Sequence, residues 1–168
     1  MTPLPVPLGS GGISAWRLDD ARFATTWDVG EGAFLFGGRW NRKGIRAVYC
    51  SLDPGTAILE VAVHKGFRAL DAVPHILTSV MLINPERVHV VQPSGVPNGN
   101  WLRPGTPGAS QQDFGSDLLA RYPFVLFPSS VSMHSWNLVF IASRAAGMYS
   151  LTTQESFALD TRLNPPIS

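Results

Sequence analysis

The sequence predicts one compact domain of the α+β class, with short mixed or antiparallel sheets and a few helices. Three observations predict it. A chain of 168 residues has the size at which one hydrophobic core closes efficiently. Apolar residues at 45% and charged residues at 15%, with 16 Gly and 14 Pro, suit an ordered, loop-rich domain rather than a disordered chain. Apolar runs of strand length recur along the chain, while only two segments carry helix start and stop signals.

Residues 1–12 are rich in Pro and Gly without periodicity and read as a flexible N-terminal arm, leaving 13–168 as the folded domain. Residues 13–18 read as a strand, followed by an irregular aromatic connection to Phe36 and a turn at Gly37-Gly38-Arg39-Trp40-Asn41. Residues 45–51 form the next strand. Asp53 as N-cap, Pro54 at the first helical position and Gly66 beyond Lys65 define a helix over 54–65. On its wheel Ile58, Leu59, Val61, Ala62 and Val63 form the expected buried arc, and Ala57, Glu60 and His64 share the remaining edge. Strands are expected at 75–83 and 88–92, then a Pro/Gly/Asn-rich loop over 93–108 containing Trp101. Ser110-Gln111-Gln112-Asp113 has the form of a capping box opening a second helix to Arg121, with Phe114, Leu118 and Leu119 as its apolar stripe. Strands at 124–128 and 137–142 and a peripheral strand in the tail from Ser150 complete the chain.

Thirteen basic against twelve acidic side chains leave a net charge of +1, too even to drive generic nucleic-acid or membrane association. Eleven of the cations are Arg, and Arg39, Arg42, Lys43 and Arg46 fall in a stretch without an acid between Glu31 and Asp53, which suggests a local anion site. Cys50 is the sole cysteine, so an intramolecular disulfide is excluded, and the four histidines show no ligand spacing, so no metal site is expected. With neither a secretion signal nor a long apolar run, a cytoplasmic protein is expected.

Three segments could carry chemistry. The glycines before Arg39 allow a tight turn that projects its guanidinium, either toward a phosphate or onto a surface carboxylate with Trp40 in the core. Glu60, at the rim of the helix's buried face, either faces a cleft or is solvated beside His64. Ser129, in Phe127-Pro128-Ser129-Ser130 at a strand end, is either a ligand contact or a turn residue. The chain has no Gly-X-Ser-X-Gly elbow, P-loop or Gly-X-Gly-X-X-Gly motif.

Together these segments resemble the RES domain family: Arg39 in Gly-Arg-Trp-Asn, Glu60 in Ala-Ile-Leu-Glu and Ser129 in Pro-Ser-Ser-Val. Trp16-Arg17, Val48-Tyr49-Cys50-Ser51, Trp101 with Gln112, Gly115 and Asp117, and the closing segment from Phe157 to Leu163 follow in order, so the likeness runs from about Ile13 to Leu163. The family's Asn-X-X-X-Asn-Pro segment is altered: Asn137-Leu138-Val139-Phe140-Ile141-Ala142 keeps only the first Asn. The resemblance implies a fold like that of ADP-ribosyltransferases and the toxin of a bacterial toxin–antitoxin system. Its implied activity is depletion of NAD by cleavage of the nicotinamide–ribose bond, with inorganic phosphate as a co-substrate if the reaction is phosphorolysis. NAD would be a substrate, and no further cofactor is implied. The implied partner is an antitoxin with a helix-turn-helix region, while a homo-oligomer and a toxin–antitoxin hetero-oligomer both stay open.

On this reading Glu60 stabilises oxocarbenium character on the ribose, and Arg39 grips the pyrophosphate. Tyr49 and Ser129 complete the expected catalytic set, with Arg17, Trp40 and Asn137 as expected ligand contacts. Two alternatives share these motifs: transfer of ADP-ribose to a protein, and a catalytically inactive NAD-binding or partner-binding module.

Overall fold

The computed structural model describes residues 12–163, so the expected arm lies outside the described residues except for Gly12. Seven strands among them form one sheet: β1 (Ile13–Asp20), β2 (Ala47–Ser51), β3 (His75–Leu82), β4 (Val88–Val90), β5 (Phe124–Pro128), β6 (Trp136–Ile141) and β7 (Tyr149–Phe157). Their order is β4-β5-β6-β2-β1-β3-β7, and every neighbouring pair is antiparallel except β4 with β5. The α+β class is therefore realised as one mixed sheet.

Four α-helices accompany it among the described residues: α1 (Glu31–Phe36), α2 (Pro54–Lys65), α3 (Phe67–Ala72) and α4 (Ala109–Arg121). α2 has the predicted bounds because its signals are local: Asp53 caps the Thr56 amide at 2.7 Å, and the Gly66 amide closes on Ala62 O at 2.7 Å with φ +79°. α1 and α3 were not expected, being single short turns inside segments that lack helical periodicity. The capping box is corrected: Gly108 is the N-cap of α4 and Ser110 lies inside the helix.

The alternation of β2, β5 and β6 gives the sheet two apolar faces. Val48, Cys50, Phe124, Leu126, Leu138 and Phe140 pack on one side with Ala15, Val80, Leu82 and Trp27. On the other side Ala47, Val125, Phe127 and Val139 meet Trp40 and Leu118 and Leu119 of α4. A separate cluster joins Leu18 to Ala62 of α2 and Leu70 of α3. Ser51 and Asn137 lie two residues from Tyr49 and Val139 and so share their face. α2 is buried differently from its wheel: Thr56, Ala57 and Ala62 are buried, whereas Leu59 and Val63 are exposed. The edge bearing Ala57, Glu60 and His64 borders the cleft, because a helix flanking a cleft turns its polar seam inward. Among the described residues no helix is long and apolar enough to cross a membrane.

Candidate active site

A cleft of about 220 Å³ opens between α2 and the adjoining strands, lined by Arg17 and Asp19 of β1, Tyr49 and Ser51 of β2, Glu60 of α2 and Asn137 of β6. Ala57, Val61, His64 and Lys65 form its helical wall. Glu60 is its most organised group. Its Oε1 accepts hydrogen bonds from Ser129 Oγ at 3.0 Å and Asn137 Nδ2 at 2.7 Å, while Oε2 receives none from a described residue. One oxygen is thus anchored and the other left for the cleft.

Each anchor is itself held. Ser129 Oγ accepts the amides of Val131 and Ser132 at 3.2 and 3.1 Å, so its proton is directed at Glu60. Ser135, at the other end of that loop, donates to Asp53 Oδ2 at 2.5 Å, tying the loop to the N-terminus of α2. Burial raises the Asp53 pKa, but the Ser135 hydroxyl and the Thr56 and Gly55 amides outweigh it and hold the carboxyl below its ordinary value. Asn137 is positioned by strand register: it lies opposite Ser51 across β2 and β6 and opposite Phe127 across β5 and β6.

Arg39 sits on the predicted turn, closed by Gly38 N to Asn41 O at 3.0 Å. Its guanidinium has no carboxylate partner among the described residues. It donates instead to the carbonyls of Trp101 at 3.0 Å, Arg103 at 3.3 Å and Gly105 at 2.9 Å. Burial lowers its pKa from the ordinary value while the nearby Glu60 and Tyr49 act in the opposite direction. An arginine remains charged through such shifts, so the clamp carries a positive charge without a direct ion-pair partner among the described residues.

Tyr49 builds the turn. Its hydroxyl donates to Asn41 Oδ1 at 2.7 Å and accepts the Trp40 amide at 3.0 Å, and burial pushes its pKa well above the ordinary phenol value. Asn41 is fully buried and donates to the carbonyls of Ala33, Arg42 and Ile45. Gly38 is required because a Cβ there would lie 2.5 Å from Asn41 Oδ1 and 2.6 Å from the Tyr49 hydroxyl. From α4, Gln112 Nε2 donates to Gly38 O at 2.8 Å and Gln111 Nε2 to Trp101 O at 3.2 Å, so one helix braces both the turn and the loop that Arg39 grips.

Arg17 lines the cleft but is not free: Asp19 takes a two-point contact at 2.8 and 2.7 Å, and Tyr49 O accepts from it at 2.9 Å. Trp40, expected to contact the ligand, is corrected to a core residue. Its indole is fully buried, stacked on Phe127 at 4.4 Å, because the turn that sends Arg39 toward the 101–105 loop drives the next side chain into the core. The structure thus brings Arg17, Tyr49, Glu60, Ser129 and Asn137 together at or beside the cleft, with Arg39 within electrostatic reach of Glu60. Asp19 and Ser51 were missed. Each lies two residues from an identified residue on the same strand face, the signal that could have found it.

The single mixed sheet with its few helices is consistent with an ADP-ribosyltransferase-like α+β fold, and the cleft around the anchored Glu60 is its candidate site, with the Arg39 turn outside the residues that line it. The RES domain model matches residues 14–160, and the chain belongs to that family. It is 30% identical over 144 residues to "Toxin Res" of Yersinia enterocolitica, covering 83% of this chain and 91% of that protein. It is 31% identical over 134 residues to "Prs ADP-ribosylating toxin" of Sphingobium sp., covering 75% and 80%. Among solved structures, the Mycobacterium tuberculosis MbcT-MbcA toxin–antitoxin complex contains a chain similar in fold, with TM-score 0.68 and 18% identity over 87% of this chain and 84% of that one.

Proposed function

We propose that this chain is the toxin of a toxin–antitoxin pair and acts enzymatically on NAD, breaking the nicotinamide–ribose bond. The observation that carries the reading is the anchored Glu60 carboxylate, one oxygen fixed by Ser129 and Asn137 and the other without a hydrogen bond from a described residue, with the Arg39 guanidinium, which has no ion-pair partner among the described residues, acting on it electrostatically. As the glycosidic bond breaks, its electron pair leaves with nicotinamide and positive charge builds on the ribose. A pre-oriented carboxylate stabilises that charge more than it does the ground state. Arg39 holds the pyrophosphate, giving up carbonyl contacts in the 101–105 loop or using its remaining N–H groups, and the Tyr49 ring forms part of the wall beside the sugar. In phosphorolysis an oxygen of inorganic phosphate bonds to the ribose carbon, yielding ADP-ribose phosphate and free nicotinamide.

The names of the Yersinia and Sphingobium relatives support a toxin, and the MbcT-MbcA complex supports an antitoxin as partner. The Sphingobium name favours a second reading, transfer of ADP-ribose to a protein acceptor. Incubating the purified protein with NAD, with and without phosphate, and resolving products by chromatography and mass tests both. Free nicotinamide and a phosphate-dependent ADP-ribose phosphate support phosphorolysis, and label on a protein supports transfer. Intact NAD would refute the enzymatic reading.

A further inference from the structure

We propose that Ser51 is a positioning residue that acts through Asn137 to orient the Glu60 carboxylate, an inference that rests on the catalytic reading of Glu60. A carboxylate only accepts, so the Asn137 atom at 2.7 Å from Glu60 Oε1 is its NH2 group. The Asn137 carbonyl oxygen then faces β2, where Ser51 Oγ lies 2.9 Å away and must be the donor. The direction of each bond in the chain Ser51 to Asn137 to Glu60 is therefore forced by the charge at its end.

Register makes the relay possible. Ser51 and Asn137 are directly opposed across β2 and β6, so their side chains share a face at the closest cross-strand spacing. Both are buried, with exposures of 3% and 8%, so an unpaired amide oxygen would have little water to turn to. The terminal torsion of Asn is soft, and without the Ser51 donor the amide can rotate and present its oxygen to Glu60, acceptor against acceptor. Glu60 would then lose its second anchor and swing about the Ser129 contact alone. Strand β2 thus contributes two layers to the site from one face: Tyr49 supports the Arg39 turn, and Ser51 supports Glu60.

The test measures NAD turnover of Ser51→Ala, Asn137→Ala, the double variant, Ser51→Thr and Glu60→Gln. Ser51→Ala should lower kcat on the order of tenfold, the size of one hydrogen bond to a charged group, with KM unchanged. Ser51→Thr keeps the hydroxyl and should restore most of the rate. Adding Ser51→Ala to Asn137→Ala should have no further effect, because Ser51 acts only through Asn137. Additive losses, or a changed KM with kcat intact, would overturn the relay.

A second measurement does not depend on turnover. The Asn137 side-chain amide signals in a nitrogen-15 spectrum should shift and broaden in Ser51→Ala and return toward wild type in Ser51→Thr, and unchanged signals would refute the relay. Activity of Glu60→Gln equal to wild type would instead remove the catalytic reading, an outcome distinguishable from any Ser51 result.

Discussion

Replacing Gly115 by alanine should destabilise the protein, although the same change in a helix normally stabilises it. An alanine gains about 1 kcal/mol of helix propensity over glycine. At position 115, however, a Cβ would stand 2.1 Å from Trp40 O and 2.7 Å from Trp40 C and Cα, all backbone atoms. Ordinary contact requires α4 to retreat by about 1 Å or more. That movement stretches the Gln112 to Gly38 bond of 2.8 Å, the Arg42 amide to Ser116 bond of 3.1 Å and the Arg42–Asp113 ion pair, all of which brace the Arg39 turn. Overpacking of this kind costs about 1–3 kcal/mol and each weakened hydrogen bond about 0.5–1.5. After the propensity gain, a net loss of about 2–4 kcal/mol remains, or roughly 5–15 °C in Tm for a domain of this size. Gly32 supplies the control. It lies exposed in α1, where an added Cβ would meet nothing within 4 Å, so Gly32→Ala should raise stability by about 0.5–1 kcal/mol. Urea unfolding followed by circular dichroism reads both, and a Gly115→Ala midpoint at or above wild type would refute the close approach of α4 to the turn.

Two further predictions concern the scaffold of the site. Tyr49→Phe removes the hydroxyl that joins Asn41 Oδ1 to the Trp40 amide, leaving two buried polar atoms unpaired, and should lower stability by about 2–4 kcal/mol in a urea titration; a loss below about 0.5 kcal/mol would contradict that role. Asp53→Asn keeps a cap acceptor for Thr56 but loses the charge that accepts from Ser135, and should cost about 1–2 kcal/mol at neutral pH. Because the folded protein holds the Asp53 carboxyl below its ordinary value, this contribution is present above about pH 4 and disappears as pH falls through the lowered value. The Tm gap between wild type and Asp53→Asn should therefore narrow toward pH 3, and a gap independent of pH would oppose this assignment.

What could be read from the sequence was local in origin. The bounds of α2 follow from Asp53, Pro54 and Gly66 without help from the rest of the chain, and the Gly37-Gly38 pair places the turn by the same kind of argument, although the Arg39 guanidinium is half-buried against the 101–105 loop rather than projected into open space. The buried strands β5 and β6 follow from apolar runs whose length leaves little alternative, whereas β7 is polar and mostly exposed. The partners escaped. Whether Leu59 and Val63 are covered depends on what packs against α2, and a wheel treats every apolar arc as a core face. Trp40 was misplaced because exposure at a turn changes from one residue to the next, and only the stacking on Phe127 decides it. The dependence of Glu60 on Asn137 and Ser51 rests on the order β6-β2, a pairing between strands 86 residues apart that no local pattern encodes. Arg39 gripping three carbonyls of the 101–105 loop is non-local in the same way.

If the anchored Glu60 carboxylate drives cleavage of NAD, the most direct measurement compares NAD loss by wild type and Glu60→Gln at equal concentration, with circular dichroism confirming that both are folded. The substituted glutamine is nearly isosteric with the glutamate but carries no charge, so the rate should fall on the order of 10²–10³-fold. A folded Glu60→Gln protein that consumes NAD as fast as wild type would contradict that role for Glu60.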